Sequence, residues 1–181
     1  LLMIVILWMF RRGRPQPVNK GFRRASVAST AVSAFSHGTQ DAQKTMGIIA
    51  LALVATGHLS SFRVPVWVIL LAAAAMGLGT LAGGWRVIRT LGSRITPLDP
   101  PRAFAAQSAA SAVLLVSAYA YALPVSSTHI MTTSIMGVGA TRRLSAVRWS
   151  VAQRVATAWV LTIPGAAISA WVSYLVVHAL V

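Results

Sequence analysis

Cysteine is absent from this sequence, and acidic residues are nearly absent. Without cysteine the chain forms no disulfides and offers no thiolate ligand to a metal, and its redox compartment is left open. Only 2 residues are acidic against 16 that are basic, which gives a formal net charge of +14. An imbalance of this size raises nucleic-acid binding as one explanation, so the placement of the basic residues has to be considered.

Charged residues of either sign are also scarce. They make up 10% of the 181 residues, whereas soluble domains contain about 25%. Hydrophobic residues reach 56% and the mean hydropathy is +0.72. Several apolar runs approach the roughly 20 residues that an α-helix needs to cross a bilayer. The composition therefore predicts an all-α, polytopic membrane protein.

The basic residues collect in short blocks between the apolar runs, at 11–24, 86–102 and 142–154. This is the pattern that the positive-inside rule expects of cytoplasmic loops. The sequence contains no basic helix and no basic patch interleaved with aromatic residues, so nucleic acid is not an expected partner. The simple predicted membrane spans cover residues 66–85, 103–123 and 155–180.

The chain is predicted to consist of three parts. Residues 1–10 are apolar but too few to cross the hydrocarbon core, and they lack the features of a signal peptide. We expect them to be the end of a membrane helix that starts upstream, followed by a basic cytoplasmic loop at 11–24. Residues 25–181 are predicted to form one membrane repeat, the C-terminal part of a longer protein.

A polar segment at 35–47 separates two apolar flanks and contains Asp41, one of the two acidic residues. A single helix over residues 25–58 would be about 51 Å long, well beyond the bilayer core. We therefore expect a break near Gly38, with Thr39 capping a helix that restarts at Gln40. Asp41 would then lie in the first turn, where the helix dipole favours a negative charge. This predicts two half-helices, or a re-entrant pair, within the membrane.

A second polar segment at 124–129 precedes a short helix of about 15 residues. Pro124 is well placed before a helix, and Ser126 or Ser127 can cap it. The cap leaves hydroxyls and unpaired backbone N–H groups converging at one helix N-terminus. Such an N-terminus is a favourable place for an anion.

Two helix starts at membrane depth are typical of secondary transporters, in which half-helix N-termini hold anionic substrate and freed carbonyls hold coupling cations. Ser126, Ser127 and Thr128 supply donors for a tetrahedral oxyanion. Asp41 would repel that anion unless it is protonated or paired with a cation, so it is the predicted coupling residue. A charge in mid-bilayer costs about 2.5–3.5 kcal/mol, which itself indicates a function.

Simpler explanations exist for the same residues. An ion pair between Asp41 and Lys44, one helical turn apart, could serve only to hold helices together, but it does not account for the nearby glycines and amides. His37, Asp41 and His129 could bind a divalent metal, yet three ligands are few, and hydrogen bonds to neighbouring helices are favoured. No metal site is predicted. The spacing of serine, histidine and aspartate does not favour a hydrolase, so the chain is not expected to be an enzyme.

Both polar segments resemble the signatures of the inorganic phosphate transporter (PiT) family. Residues 36–47, Ser-His-Gly-Thr-Gln-Asp-Ala-Gln-Lys-Thr-Met-Gly, are similar to its S-H-G-[AT]-N-D-[AV]-Q-x-x-x-G pattern. Residues 124–129, Pro-Val-Ser-Ser-Thr-His, with Met-Gly-Val-Gly at 136–139, are similar to its second signature, P-[VI]-S-[ST]-T-H followed by M-G-x-G. The sequence departs from the family at Gln40, where the family has Asn, and at Gln107, where many members have Glu.

The resemblance implies a symporter built from two inverted halves around a central phosphate site, of which this chain is the C-terminal half. It implies no cofactor other than a coupling cation, a proton or sodium. The implied site residues are, for phosphate, Ser126, Ser127, Thr128, Thr39, Gln40 and Gln43; for the coupling ion, Asp41, Gln40 and Ser36; and in support, His37, Lys44, Thr45 and His129.

The expected partners are inorganic phosphate, membrane lipid, the absent N-terminal half and, in a homodimer, a second copy of the protein. The expected location is the cell membrane, which the chain crosses several times. Two other functions remain open at this point. One is a permease for sulfate or a related oxyanion, which competition with phosphate uptake would identify. The other is a membrane scaffold that does not transport, which the lack of uptake by the restored full-length chain would identify.

Overall fold

The computed structural model describes the backbone of residues 1–180 and their side chains except those of 86–88, 91, 93 and 180. This part of the chain is helical and contains no strand, which confirms the all-α prediction. The six α-helices are α1 (Leu2–Met9), α2 (Pro15–Ala55), α3 (Val66–Arg89), α4 (Pro100–Tyr119), α5 (Ser127–Ala140) and α6 (Trp149–Leu180). A π-helical turn at Thr90–Arg94 follows α3, and a 3₁₀ turn at Leu144–Ala146 precedes α6.

Helix α2 is longer at its N-terminus than the sequence predicts. The loop predicted at 11–24 is wrong beyond Arg14, because α2 starts at Pro15 and contains the rest of the basic block. Proline is well suited to the first helical turn, where its fixed φ is already helical and its missing N–H is not needed. The Lys and Arg side chains that follow are good helix formers, so the basic block continues the helix.

The break predicted near Gly38 is also wrong, because α2 runs through the first polar segment as one helix of 41 residues. The Ser36 hydroxyl donates to the carbonyl of Val32 at 2.7 Å, and the Thr39 hydroxyl donates to the carbonyl of Ser36 at 2.9 Å. These hydroxyls are satisfied by the preceding turn of their own helix. Thr39 therefore caps no helix, and Asp41 lies inside α2, away from both ends of that helix.

Helices α2 and α4 run parallel to each other and share the most extensive helix–helix contact. Near their N-terminal ends, the Ser26 hydroxyl donates to the carbonyl of Pro100 at 3.3 Å. Further along, the Gln40 side-chain amide donates to the carbonyl of Leu114 at 3.0 Å. Because contacts advance in the same direction along both helices, the two are parallel, and α4 begins beside Ser26 of α2. We call the end of the structure at which α4 begins, near the basic block of α2, the basic end.

Helix α5 returns from the middle of α2 to the basic end. At its start, Ser127 contacts Asp41. Near its end, Gly139 packs on Thr96, so closely that a Cβ on this glycine would lie 2.9 Å from the Thr96 hydroxyl oxygen. At about 1.5 Å per residue, Ser127 and Gly139 are about 18 Å apart along the helix. The hairpin of α4 and α5 thus links two separate regions of the molecule.

A small hydrophobic core lies at the basic end. Phe22 of α2 packs between Phe10 and Phe104, with ring centroids 5.2 and 5.4 Å away. The buried members of this core are Met3, Ile6, Ile95, Ala105, Ala106, Ile135, Val138 and Val147. Helix α1 contributes two of them, so it is docked onto the hairpin.

Two helices in the described part of the chain are long and apolar enough to cross a membrane, Val66–Trp85 in α3 and Trp149–Ala179 in α6. Helix α4 covers most of the span predicted at 103–123 but ends at Tyr119 and is not among them. The third basic block is a loop only up to Arg148, because Arg154 lies inside α6. The side chain of Arg86, in the second block, is outside the described residues.

Candidate functional site

The two polar segments meet at the carboxylate of Asp41. The Ser127 hydroxyl, from the first turn of α5, donates to Asp41 Oδ2 at 3.1 Å. On α2, Lys44 Nζ donates to Asp41 Oδ1 at 3.3 Å, and His37 Nδ1 lies 3.4 Å from Asp41 Oδ2. We call these four residues, His37, Asp41, Lys44 and Ser127, the Asp41 cluster. Its members come from two helices, and Ser127 follows Asp41 by 86 residues in the sequence.

The Asp41 cluster is close to electrically neutral. The carboxylate and the Lys44 ammonium offset each other, and Lys44 also donates to the carbonyl of Val125 at 2.8 Å. Lys44 thereby connects α2 to the backbone just before α5. The side chain of Asp41 is 26% exposed and that of Lys44 is 37% exposed, so the helices of this chain do not enclose the pair completely. An incoming anion meets no net negative charge here.

The start of α5 has the capped geometry that the sequence predicts. Ser126 is the N-cap residue, and its hydroxyl oxygen accepts a hydrogen bond from the backbone N–H of His129 at 3.4 Å. Ser127 is buried, with 5% of its surface exposed, whereas Thr128 is exposed. The first N–H groups of a helix have no acceptor within it, so those of Ser127 and Thr128 are donors for an external group.

The other predicted site residues of α2 lie around the cluster in different environments. Gln40 is buried, and its side-chain amide nitrogen donates to the carbonyl of Leu114 in α4. Ser36, one helical turn earlier in α2, is also buried. Thr39 is half-buried, and its hydroxyl donates back to α2. Gln43 and Thr45 are exposed. The structure therefore brings Asp41 and Ser127 into direct contact and turns the Gln40 amide nitrogen toward α4.

His129 is not a fourth partner of Asp41 in this structure. Its ring lies against Trp159 of α6, with the centroids 3.9 Å apart. Among the described residues, no group of three or more His, Cys, Asp or Glu side chains could hold a metal ion. The alternative in which His37, Asp41 and His129 share a divalent metal is thus not formed here, and His129 instead links α5 to α6.

Sequence reasoning missed a polar seam between α2 and α4. Gln107 Oε1 accepts hydrogen bonds from the hydroxyls of Ser29 at 2.7 Å and Thr30 at 3.0 Å. The seam residues of α2 are Ser26, Ser29, Ser33, Ser36 and Gln40, which recur every three or four positions. That spacing places them on one face of a helix. The regular spacing is the signal that would have predicted the seam and the continuity of α2.

Two hydroxyls on the facing helices are buried without any hydrogen-bond partner. They are Ser111 Oγ of α4 and Thr132 Oγ1 of α5. A buried hydroxyl without a partner costs about 1–3 kcal/mol of stability. The interface of these helices therefore contains polar groups whose hydrogen-bonding capacity is not used within the described structure. With Gln107 in place of a glutamate, the seam contains no carboxylate among the described residues, and Asp41 is the nearest carboxylate along α2.

The sequence model of the phosphate transporter family matches residues 4–170. A probable low-affinity inorganic phosphate transporter of Rhizobium meliloti is 46% identical over 175 residues, covering 96% of this chain and 52% of the relative. A protein of the same description from Bacillus subtilis is 37% identical, covering 98% of this chain and 54% of the relative.

More distant similarity extends to archaea. A putative phosphate permease of Thermococcus kodakarensis is 31% identical over 150 residues, covering 81% of this chain and 37% of the relative. The chain spans about half the length of the Rhizobium and Bacillus relatives that it matches. No solved structure matches it.

Proposed function

Because this chain belongs to the phosphate transporter family, and is thus part of an integral membrane protein, we propose that it forms one half of a carrier that moves inorganic phosphate across the cell membrane together with a proton or sodium ion. The observation that carries the proposal is the contact between Ser127 and Asp41, because it joins a helix N-terminus suited to an anion to a carboxylate suited to a cation.

The proposal rests on what the donors around α5 can still do. The Ser127 hydroxyl can donate one hydrogen bond, and it donates that bond to the Asp41 carboxylate. Ser126 uses an oxygen lone pair as the helix cap, so its own proton remains available to an anion. Thr128 is exposed and adds a second hydroxyl. Phosphate is therefore first bound by Ser126, Thr128 and the N–H groups that begin α5.

Coupling follows from the single proton of Ser127. When a proton or a sodium ion binds Asp41, the carboxylate no longer requires a hydrogen bond from the serine. The Ser127 hydroxyl is then free to turn and donate to phosphate, which adds a charge-assisted hydrogen bond of about 1.5–3 kcal/mol. Cation and phosphate thus strengthen each other's binding, and by linkage the effect is reciprocal. Lys44 balances Asp41 while no cation is bound.

The same proposal gives the chain a place in the membrane. Helix α5 has 14 residues, which is about 21 Å and too short for a full crossing. Its capped start would lie at mid-membrane and its end at the cytoplasmic side, as in a re-entrant hairpin with α4. Helices α3 and α6 would cross fully. An N-terminal half of similar design, in inverted orientation, would complete the site, as the greater length of the relatives supports.

The experiment that tests the proposal uses the full-length protein reconstituted into liposomes. We expect uptake of radiolabelled phosphate that depends on an imposed proton or sodium gradient, and only weak inhibition by excess sulfate. Ser127→Ala should weaken the apparent phosphate affinity by about 5–150-fold, the equivalent of about 1–3 kcal/mol. It should also reduce the dependence of uptake on the coupling cation.

Thr133→Ala is the matched control for Ser127→Ala. Thr133 also lies on α5, but it is exposed and its hydroxyl donates to the carbonyl of His129 at 2.8 Å. Removal of this hydroxyl should leave uptake unchanged. Equal loss in both variants would show that helix α5 was merely disturbed. If the protein took up sulfate in preference to phosphate, sulfate would be identified as its substrate. If the intact full-length protein took up neither anion, the transport proposal would be refuted.

A further inference from the structure

The basic end of the structure contains a cavity that the proposed transport site does not use. Its volume is about 190 Å³, and it lies between the start of α4, the end of α5 and the turn that leads into α6. One water takes about 30 Å³ of liquid volume, so the cavity admits a polyatomic ion. The four arginines that line it are Arg102, Arg142, Arg143 and Arg148, and we call it the arginine cavity.

The charge of the arginine cavity is unbalanced. Only Arg102 has a carboxylate partner, Asp99, which also caps α4 by accepting from the backbone N–H of Arg102 at 3.0 Å. Arg142, Arg143 and Arg148 form no ion pair among the described residues. With Asp41 part-way along α2, no other acidic residue of these 181 is available to the cavity. Four positive charges therefore face one negative charge.

A buried donor at the cavity also lacks a partner. Arg102 Nε is inaccessible to solvent and makes no hydrogen bond within the described structure. A buried polar group without a partner is unfavourable, and more so when it belongs to a charged side chain. The ordinary explanation for basic residues here, a solvated cytoplasmic loop near the C-terminus of α5, accounts for the exposed arginines. It does not account for the convergence of four arginines on one cavity with a single carboxylate nearby.

The end of the cavity next to α5 is fixed by packing. Gly139 and Thr96 both line it, and they are in such close contact that a larger residue at 139 would force Thr96 to shift. The backbone N–H of Arg148 donates to the carbonyl of Ile95 at 2.9 Å, which holds the turn before α6 against the same place. The backbone that carries Arg142, three residues after Gly139, and the backbone of Arg148 are therefore held in position by contacts within the protein, before any ligand binds.

From these observations we propose that the arginine cavity binds a phosphate group, about 18 Å along α5 from the Asp41 cluster. Guanidinium groups are matched in charge and geometry to phosphate oxygens. The group belongs either to free inorganic phosphate or to the headgroup of an anionic lipid, since basic pockets at the cytoplasmic face are suited to both. The proposal stands on the cavity alone and does not depend on transport.

A local fluorescent reporter tests the proposal without interference from the Asp41 cluster. Ser145 lines the cavity and is exposed, and these 181 residues contain no cysteine. Ser145→Cys would carry an environment-sensitive dye in the full-length protein, with any cysteine elsewhere replaced by serine. Ser60→Cys, exposed in the turn between α2 and α3, would carry the control dye.

The protein would be placed in nanodiscs of phosphatidylcholine and titrated with inorganic phosphate, and separately placed in nanodiscs with increasing phosphatidylglycerol. A saturable change at position 145 but not at 60 is expected in at least one arm. A response to phosphate identifies the free ion as the source, and a response to phosphatidylglycerol alone identifies the lipid headgroup. The absence of a response in both arms overturns the proposal.

Charge-matched variants separate a site from general attraction. Replacement of Arg142 and Arg148 by glutamine should weaken the response by at least about tenfold, because each arginine supplies charge-assisted hydrogen bonds. The same change at Arg11 and Arg12, which are exposed in the turn after α1, removes equal charge outside the cavity and should leave the midpoint within about twofold. Equal weakening by both pairs would reduce the cavity to a diffuse basic surface and refute the site.

Discussion

The two polar segments both contain hydroxyl side chains and are in contact with each other, yet they differ in backbone conformation. The backbone passes through the first, at 35–47, as uninterrupted helix, whereas at the second it starts a new helix with Ser126 as cap. In the first segment the Ser36 and Thr39 hydroxyls each find an acceptor within the preceding turn. The second begins with Pro124, and shortly before it lies a non-glycine residue with positive φ, Ala122 at 51°.

The difference assigns the two segments different tasks. Because α2 is continuous, Asp41 projects from the side of this helix and not from a helix end. The start of α5 presents unpaired N–H groups together with hydroxyls. The carboxylate is therefore suited to a small cation, and the helix start is suited to the anion.

The carboxylate is tested most directly by Asp41→Asn. This change keeps the shape but removes the charge that binds the coupling cation and pairs with Lys44, so gradient-driven phosphate uptake should fall below detection. The natural control is Asp99→Asn, the only other acidic residue, because asparagine remains a good N-cap for α4. The measurement is uptake normalised to the amount of protein in the membrane. Unchanged uptake by the Asp41→Asn variant would remove the carboxylate from the mechanism.

Two glycines distinguish the tightly packed end of α5 from the continuous part of α2. Gly139→Ala would place a Cβ 2.9 Å from the Thr96 hydroxyl oxygen, and such overpacking should destabilise the protein by about 1–3 kcal/mol. A Cβ at Gly38 would meet nothing within 4 Å, so Gly38→Ala should stabilise α2 by about 0.5–1 kcal/mol. Thermal unfolding of the purified protein measures both. A large loss of stability in the Gly38→Ala variant would favour the interrupted helix instead.

The smallest effect concerns capping. Ser126→Ala removes the cap of α5 and should cost about 1 kcal/mol. Thr39→Ala removes only a hydroxyl that donates to the carbonyl of Ser36 within α2, so it should change stability by less than about 0.5 kcal/mol. The two variants would be compared by thermal unfolding under identical lipid conditions. If Thr39→Ala proved the more costly, the assignment of which segment starts a helix would be reversed.

Local chemistry explains which features could be predicted. The capped start of α5 and its length depend on residues within a few positions, and those predictions are correct. The prediction of a break in α2 was wrong, because the serines that face α4 recur with a helical period through this segment and the helix is longer than the bilayer core is thick. Helix α2 can exceed the bilayer thickness if its basic N-terminal turns extend into water, which removes the need for a break.

The amino-acid sequence by itself determined that the protein is helical and membrane-embedded, that it has two polar segments, and that it belongs to its family. These follow from composition and from patterns read within one stretch of chain. Only the tertiary structure decided that the Asp41 carboxylate accepts its hydrogen bond from Ser127, that Gln40 turns toward α4, and that four arginines line one cavity. The reason is that such contacts depend on how α2, α4 and α5 pack across long separations, and local hydrogen bonding does not specify that packing.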